Sequence, residues 1–151
     1  MTLSWPGRRG IAVLLLLVAL AIRAWDFGNP VIDADEQYYL LVGDHMLHGA
    51  VPYIDLWDRK PIGLFALFAA IRLLPGDGIL AYQLLATAAA WATSLVVALA
   101  AGTLGANRRG AFAAGVVYLA YLAWQALRPT GRGVFEVRDL PVQSIFLPLV
   151  P

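Results

Sequence analysis

The residues able to do chemistry concentrate in one short stretch. Seven of the ten acidic residues fall within positions 26–58: Asp26, Asp33, Asp35, Glu36, Asp44, Asp55 and Asp58. Asp33-Ala34-Asp35-Glu36 precedes an apolar-periodic segment (Tyr39, Leu40, Val42, Gly43, Met46, Leu47). An Asp at the N-cap followed three residues later by Glu is a capping-box variant, so a helix is expected from Ala34 to about Leu47, ending at His48-Gly49. Asp35 and Glu36 then sit in the first turn, where free N–H groups and the helix dipole favour the ionised carboxylate. Such a carboxylate can accept a proton from a hydroxyl or bind a metal. Acids in a first turn also serve as simple dipole complements, so spacing alone leaves both roles open.

A second cluster follows at Trp57-Asp58-Arg59-Lys60-Pro61-Ile62. Pro61 suits the first position of a helix, because its missing N–H would have no partner there. Arg59 and Lys60 therefore stand beside free backbone N–H groups, an arrangement that binds anions and phosphate above all. Headgroup anchoring in bulk lipid is the alternative. His45 and His48, three apart with Asp44 alongside, supply two zinc-type ligands without a fixed third, and read as interfacial polar residues. The Gly102–Gly110 segment lacks the strand and glycine spacing of a nucleotide loop and reads as a connector. Arg8-Arg9 is a poor match to a twin-arginine export signal.

The elements that position these residues belong to a membrane. The chain of 151 residues is 60% hydrophobic and 14% charged, without cysteine and with a net charge of +1. Soluble domains carry about 25% charged residues, and one core of this size could not hide so much apolar surface. The charge excludes a polyanion-binding field, and hence nucleic acid as a partner; the absence of Cys excludes thiolate chemistry and disulfides.

Four apolar runs are present: Ile11–Trp25, Pro61–Leu74, Ile79–Ala101 and Ala111–Leu127. Crossing the bilayer takes ~20 helical residues. The third run spans directly, the first from about Trp5 to Trp25 with Arg23 reaching outward, and the fourth if slightly extended. The second covers only about 21 Å as a helix and contains Arg72. Arg8-Arg9 and Arg108-Arg109 both belong in the cytoplasm by the positive-inside rule. That holds only if an even number of crossings separates them, so the second run lies at the surface.

The expectation is an all-α integral membrane protein of the plasma membrane. It has a cytoplasmic N-terminus, spans at about 5–25, 79–101 and 111–127, and an outer loop over 26–78 holding two interfacial helices. A secretory signal cleaved near Ala19-Leu20-Ala21 is the alternative for the start, and it leaves the loop outside.

This order of features resembles the N-terminal part of the GT-C glycosyltransferases, the group of dolichyl-phosphate-mannose protein mannosyltransferases and lipid A aminoarabinose transferases. The matching residues are Asp35-Glu36-Gln37-Tyr38-Tyr39, Gly49–Tyr53 and Asp58-Arg59-Lys60-Pro61-Ile62, and the resemblance covers roughly residues 8–125. It implies transfer of a sugar from a polyprenyl-phosphate-linked donor to a lipid, glycan or protein acceptor at the outer face. Asp35, with Glu36 beside it, would be the catalytic base or metal-site residue, and Lys60 would contact the donor phosphate, with Arg59 as its neighbour. No metal ligand set is assigned; a divalent metal at the two acids and a metal-free mechanism fit equally well.

Family members are longer and have more spans. The tail over 128–151, with four of the nine prolines, is irregular and reads as non-native sequence, as in a truncated or frameshifted frame. The competing reading is a non-catalytic membrane subunit, whose outer loop docks a membrane-protein partner and whose spans pack through Ala88–Ala90, Ala100–Gly102 and Ala113–Gly115. A transporter is disfavoured, since no span carries an acid or a broken helix.

Overall fold

A computed structural model describes residues 7–25, 27–29, 34–76 and 78–126. The described residues are all-α, with five helices and no strand: α1 (Arg8–Arg23), α2 (Ala34–Leu47), α3 (Ile62–Arg72), α4 (Gly78–Thr103) and α5 (Arg108–Ala126). The chain divides into two compact units. One is Asp26–Leu85, here the inserted unit; the other, the split unit, combines Met1–Trp25 with Ala86–Pro151. The irregular tail expected over 128–151 lies outside the described residues.

In the inserted unit, α2 and α3 pack through an aromatic core. Tyr39, Val42, Leu64, Phe65, Phe68, Ile71 and Tyr82 are buried. Gly43 lets the two helices close on each other, because a Cβ there would lie 2.6 Å from the Ala69 nitrogen and 2.7 Å from the Phe68 carbonyl carbon. Helix α2 starts and stops where its acids and His48-Gly49 place it. Its end is a Schellman motif, with Ala50 N–H donating to the His45 carbonyl at 3.0 Å and Gly49 N–H to that of Met46 at 3.1 Å. Pro61 sits one position earlier than expected, as the N-cap of α3, with φ −67° and ψ 147°. The ring's fixed φ suits either place, and the extended ψ puts Pro61 just outside the helix.

The split unit is built from small and aliphatic residues. Ile11, Leu15, Ala19, Ala90, Ala98, Leu119 and Leu122 form its core. The Trp91 indole N–H donates to the Ala12 carbonyl at 2.9 Å, tying α4 to α1. A Cβ at Gly115 of α5 would meet both terminal methyls of Leu15 at 2.9 Å and the Ser94 carbonyl at 3.0 Å.

One expectation is met in part and another needs correction. Among the described residues one helix, α4, is long and apolar enough to cross a membrane, not three. Helix α1 has 16 residues, about 24 Å long, and Trp5, expected to open that span, lies outside the described residues. Helix α5 has 19 residues but begins with Arg108 and Arg109, which dilute its apolar character. The correction concerns Arg23, expected to reach outward. It is 7% exposed, lying with Ala19, Ile22, Ala90, Leu119 and Leu122 around a small cavity. Alanines on the facing helices leave the room that its long stem fills.

Candidate functional site

The two clusters singled out in the sequence meet in the inserted unit around one tyrosine. Asp35 and Tyr39 are one helical turn apart on α2, and the Tyr39 hydroxyl donates to Asp35 Oδ2 at 3.3 Å. The Tyr39 ring is 1% exposed. It packs edge-on to Phe68 at 5.6 Å between centroids and tilts against Phe65 at 6.1 Å, so its position is set by the core. Lys60 approaches the same ring from the segment before α3, with Nζ 5.7 Å from the centroid, within the ~6 Å reach of a cation–π interaction. A carboxylate and an ammonium from elements 25 positions apart thus share one rigid aromatic plate.

Lys60 is held by its backbone. The Tyr53 hydroxyl donates to the Lys60 carbonyl at 2.7 Å, and the Tyr53 ring tilts against Phe65 at 5.9 Å. Tyr53 adopts φ 71°, in the left-handed region that L-residues avoid. The turn that imposes this is closed by Tyr53 N–H donating to the Leu56 carbonyl at 2.8 Å and Val51 N–H to Asp55 Oδ2 at 2.7 Å. The Tyr38 hydroxyl adds a bond to the Trp57 carbonyl at 3.1 Å. Asp55 therefore shapes the turn. Asp58 does similar local work, accepting from the Arg59 N–H at 2.6 Å.

The remaining expected site residues separate. Asp35 is exposed, whereas Glu36 is 2% exposed and faces the interior; successive helical residues point about 100° apart, so one packed face cannot hold both. Arg59 is exposed beside Lys60, next to the start of α3. His45 and His48 each place Nδ1 against a carbonyl one turn back, Leu41 at 2.9 Å and Asp44 at 2.8 Å. Among the described residues no group of three or more His, Asp or Glu side chains could hold a metal ion. Asp26 and Asp33, the expected cap, lie outside the described residues.

Two interactions were not anticipated. Arg72 donates through Nε to Asp44 Oδ1 at 2.9 Å, joining the end of α3 to α2; the lone cation of a short apolar helix was its only sign in the sequence. Gln83 of α4, 1% exposed, accepts from Gly28 N–H at 2.7 Å and donates to the Asn29 carbonyl at 3.3 Å. A single amide inside an uncharged apolar run is its one signal.

The arrangement offers a solvent-facing carboxylate that can take a proton. Beside it stands a cationic edge, Lys60 and Arg59 at a helix N-terminus, suited to an anionic oxygen. Comparison of the chain with protein-family models, with curated proteins and with solved structures finds no match.

Proposed function

We propose that this chain is a membrane module of a glycosyltransferase that uses a polyprenyl-phosphate-linked sugar donor at the outer face of the plasma membrane. The observation that carries this reading is the placement of Asp35 and Lys60 on one buried tyrosine, since the resemblance to the GT-C enzymes assigns these two residues complementary roles. Asp35 accepts the proton of an acceptor hydroxyl as its oxygen forms a bond to the anomeric carbon. The bond from that carbon to the phosphate oxygen breaks, and the polyprenyl phosphate departs with the electron pair. Lys60 and Arg59, together with the N-terminus of α3, stabilise the charge it gains. Tyr39 keeps the base, Asp35, and the cation, Lys60, at a fixed spacing. Glu36, facing the interior, belongs to the support of this edge and does not touch the acceptor. No step requires a metal ion, and a divalent ion at Asp35 would need ligands from elsewhere.

Membrane residence is supported by the apolar surface that the split unit leaves open. Val13 and Leu17 of α1, Val96 and Leu99 of α4 and Val117 of α5 are all more than half exposed, a cost in water that lipid removes. In this reading α1 and α5 cross alongside α4. The short α1 is accommodated by local thinning of the bilayer and by Arg8 and Arg9 reaching to the headgroups. The N-terminus is cytoplasmic and residues 26–78 are outside. The competing reading, a subunit whose outer loop docks a membrane-protein partner, draws on Ile54 and Trp57, 79% and 74% exposed on the turn after α2.

Sugar transfer from a radiolabelled polyprenyl-phosphate donor, in membranes containing the full chain, separates the two. Asp35→Asn is expected to slow transfer about 10²–10⁴-fold, the usual loss on removing a general base. Lys60→Ala should also lower the rate, through loss of leaving-group stabilisation. Unchanged rates in both variants, or co-purification of a larger membrane protein that alone accounts for the activity, would favour the docking subunit.

A further inference from the structure

The described residues of the split unit contain five arginines (Arg8, Arg9, Arg23, Arg108 and Arg109) and not one Asp or Glu. Helices α1 and α5 both begin at the rim of an open cavity of about 550 Å³ in this unit. That volume lies within the roughly 300–1,000 Å³ typical of small-molecule sites. Its lining divides by chemistry: Arg8 and Arg108, each the first residue of its helix and exposed, and an apolar wall that includes Ile11, Leu95, Ala98 and Leu99. Among the described residues neither arginine has a salt-bridge or side-chain hydrogen-bond partner. The N-terminus of α1 has no side-chain cap, so its amide dipoles add to the positive potential.

We propose that this cavity is a binding site for an anionic phospholipid, its phosphate held between Arg8 and Arg108 and an acyl chain lying along the apolar wall. The proposal rests on the membrane residence and cytoplasmic N-terminus argued above and is independent of sugar transfer. Each guanidinium can meet phosphate oxygens with paired N–H groups, and basic pockets between membrane helices on the cytoplasmic side are known hosts for lipid phosphates. An inorganic phosphate would use the arginines but leave the apolar wall uncovered. A zwitterionic lipid would bring a cation for which these residues supply no acid.

The test uses the full chain in neutral detergent, with bound lipid counted by native mass spectrometry against dioleoylphosphatidylglycerol, dioleoylphosphatidylcholine and inorganic phosphate. Wild type should retain phosphatidylglycerol over phosphatidylcholine. The double substitution Arg8→Gln with Arg108→Gln should weaken phosphatidylglycerol binding roughly 25-fold, a factor of about five for each cation. Gly102 also lines the cavity and has open space around its missing Cβ. Gly102→Leu should therefore displace the acyl chain and weaken binding with both charges intact, a loss that a pure phosphate site would not show. Equal retention of the two lipids, undiminished phosphatidylglycerol binding in either variant, or displacement of that lipid by millimolar phosphate would each overturn the proposal. Flotation with phosphatidylcholine vesicles separates the failures. A chain that does not float overturns membrane residence and the lipid site together, whereas one that floats without lipid preference overturns the lipid site alone.

Discussion

The two units of this protein use opposite packing strategies. The inserted unit closes α2 on α3 around aromatic rings, and its tyrosine hydroxyls act as struts to backbone carbonyls and to Asp35. The split unit packs aliphatic and alanine side chains, with the Trp91–Ala12 bond between α4 and α1. Rings with hydroxyl handles can fix a polar loop because each buries a large apolar area while its tip satisfies a polar atom. Alanine and leucine have no such handles, and they suit helices whose outward faces remain apolar. The inserted unit is thus organised to hold charged groups at set positions, and the split unit to bring its helices together through small and aliphatic side chains.

Among the described residues, Gly43 in the inserted unit and Gly115 in the split unit lie at the tightest glycine approach of each, and substituting them tests this contrast. Gly43→Ala should have the largest effect, a loss of about 3 kcal/mol in the inserted unit, at the upper end for overpacking. Its Cβ would meet backbone atoms of α3, which cannot move aside. Hydrogen exchange of the full chain in lipid nanodiscs should show protection lost in peptides from α2 and α3 and kept in those from α1 and α5. Equal loss in both sets would mean that the units unfold as one, and the contrast would fail.

Gly115→Ala should cost less, about 1 kcal/mol, because two of the three close atoms are the flexible end of Leu15 and only the Ser94 carbonyl is fixed. The same exchange measurement should place its loss in α1 and α5. Arg72→Gln should cost the least, under about 1 kcal/mol, since the Asp44–Arg72 pair is one-third exposed and solvent-screened. A larger loss confined to α2 and α3 would show that this ion pair, and not the aromatic core, holds the two helices together.

Much of the local structure was legible in the chain itself. The bounds of α2 follow from the Asp33 to Glu36 spacing at one end and His48-Gly49 at the other, because capping and dipole effects act within a turn. Helix α3 follows from Lys60-Pro61 and the shortness of its apolar run, although it stops at Arg72 rather than Leu74. Helix α4 extends slightly beyond its expected apolar run at both ends. The two parts of the candidate site, Asp35 and Lys60, were also visible by residue type and spacing.

Their meeting at Tyr39 was not. Tyr39 read as one more apolar position of a periodic helix, and only the approach of Phe65 and Phe68 makes it the plate between acid and cation. The same holds for the division of labour between Asp35 and Glu36, for Arg23 turned into the split unit, and for Gln83 bound to Gly28 and Asn29. Sequence determined where helices begin, how far they run and which stretch carries the charge, since those depend on neighbours within about four residues. Tertiary structure decided which side chain faces inward and which charges share a surface. Those outcomes depend on packing between segments distant along the chain, whose pairing no local signal encodes.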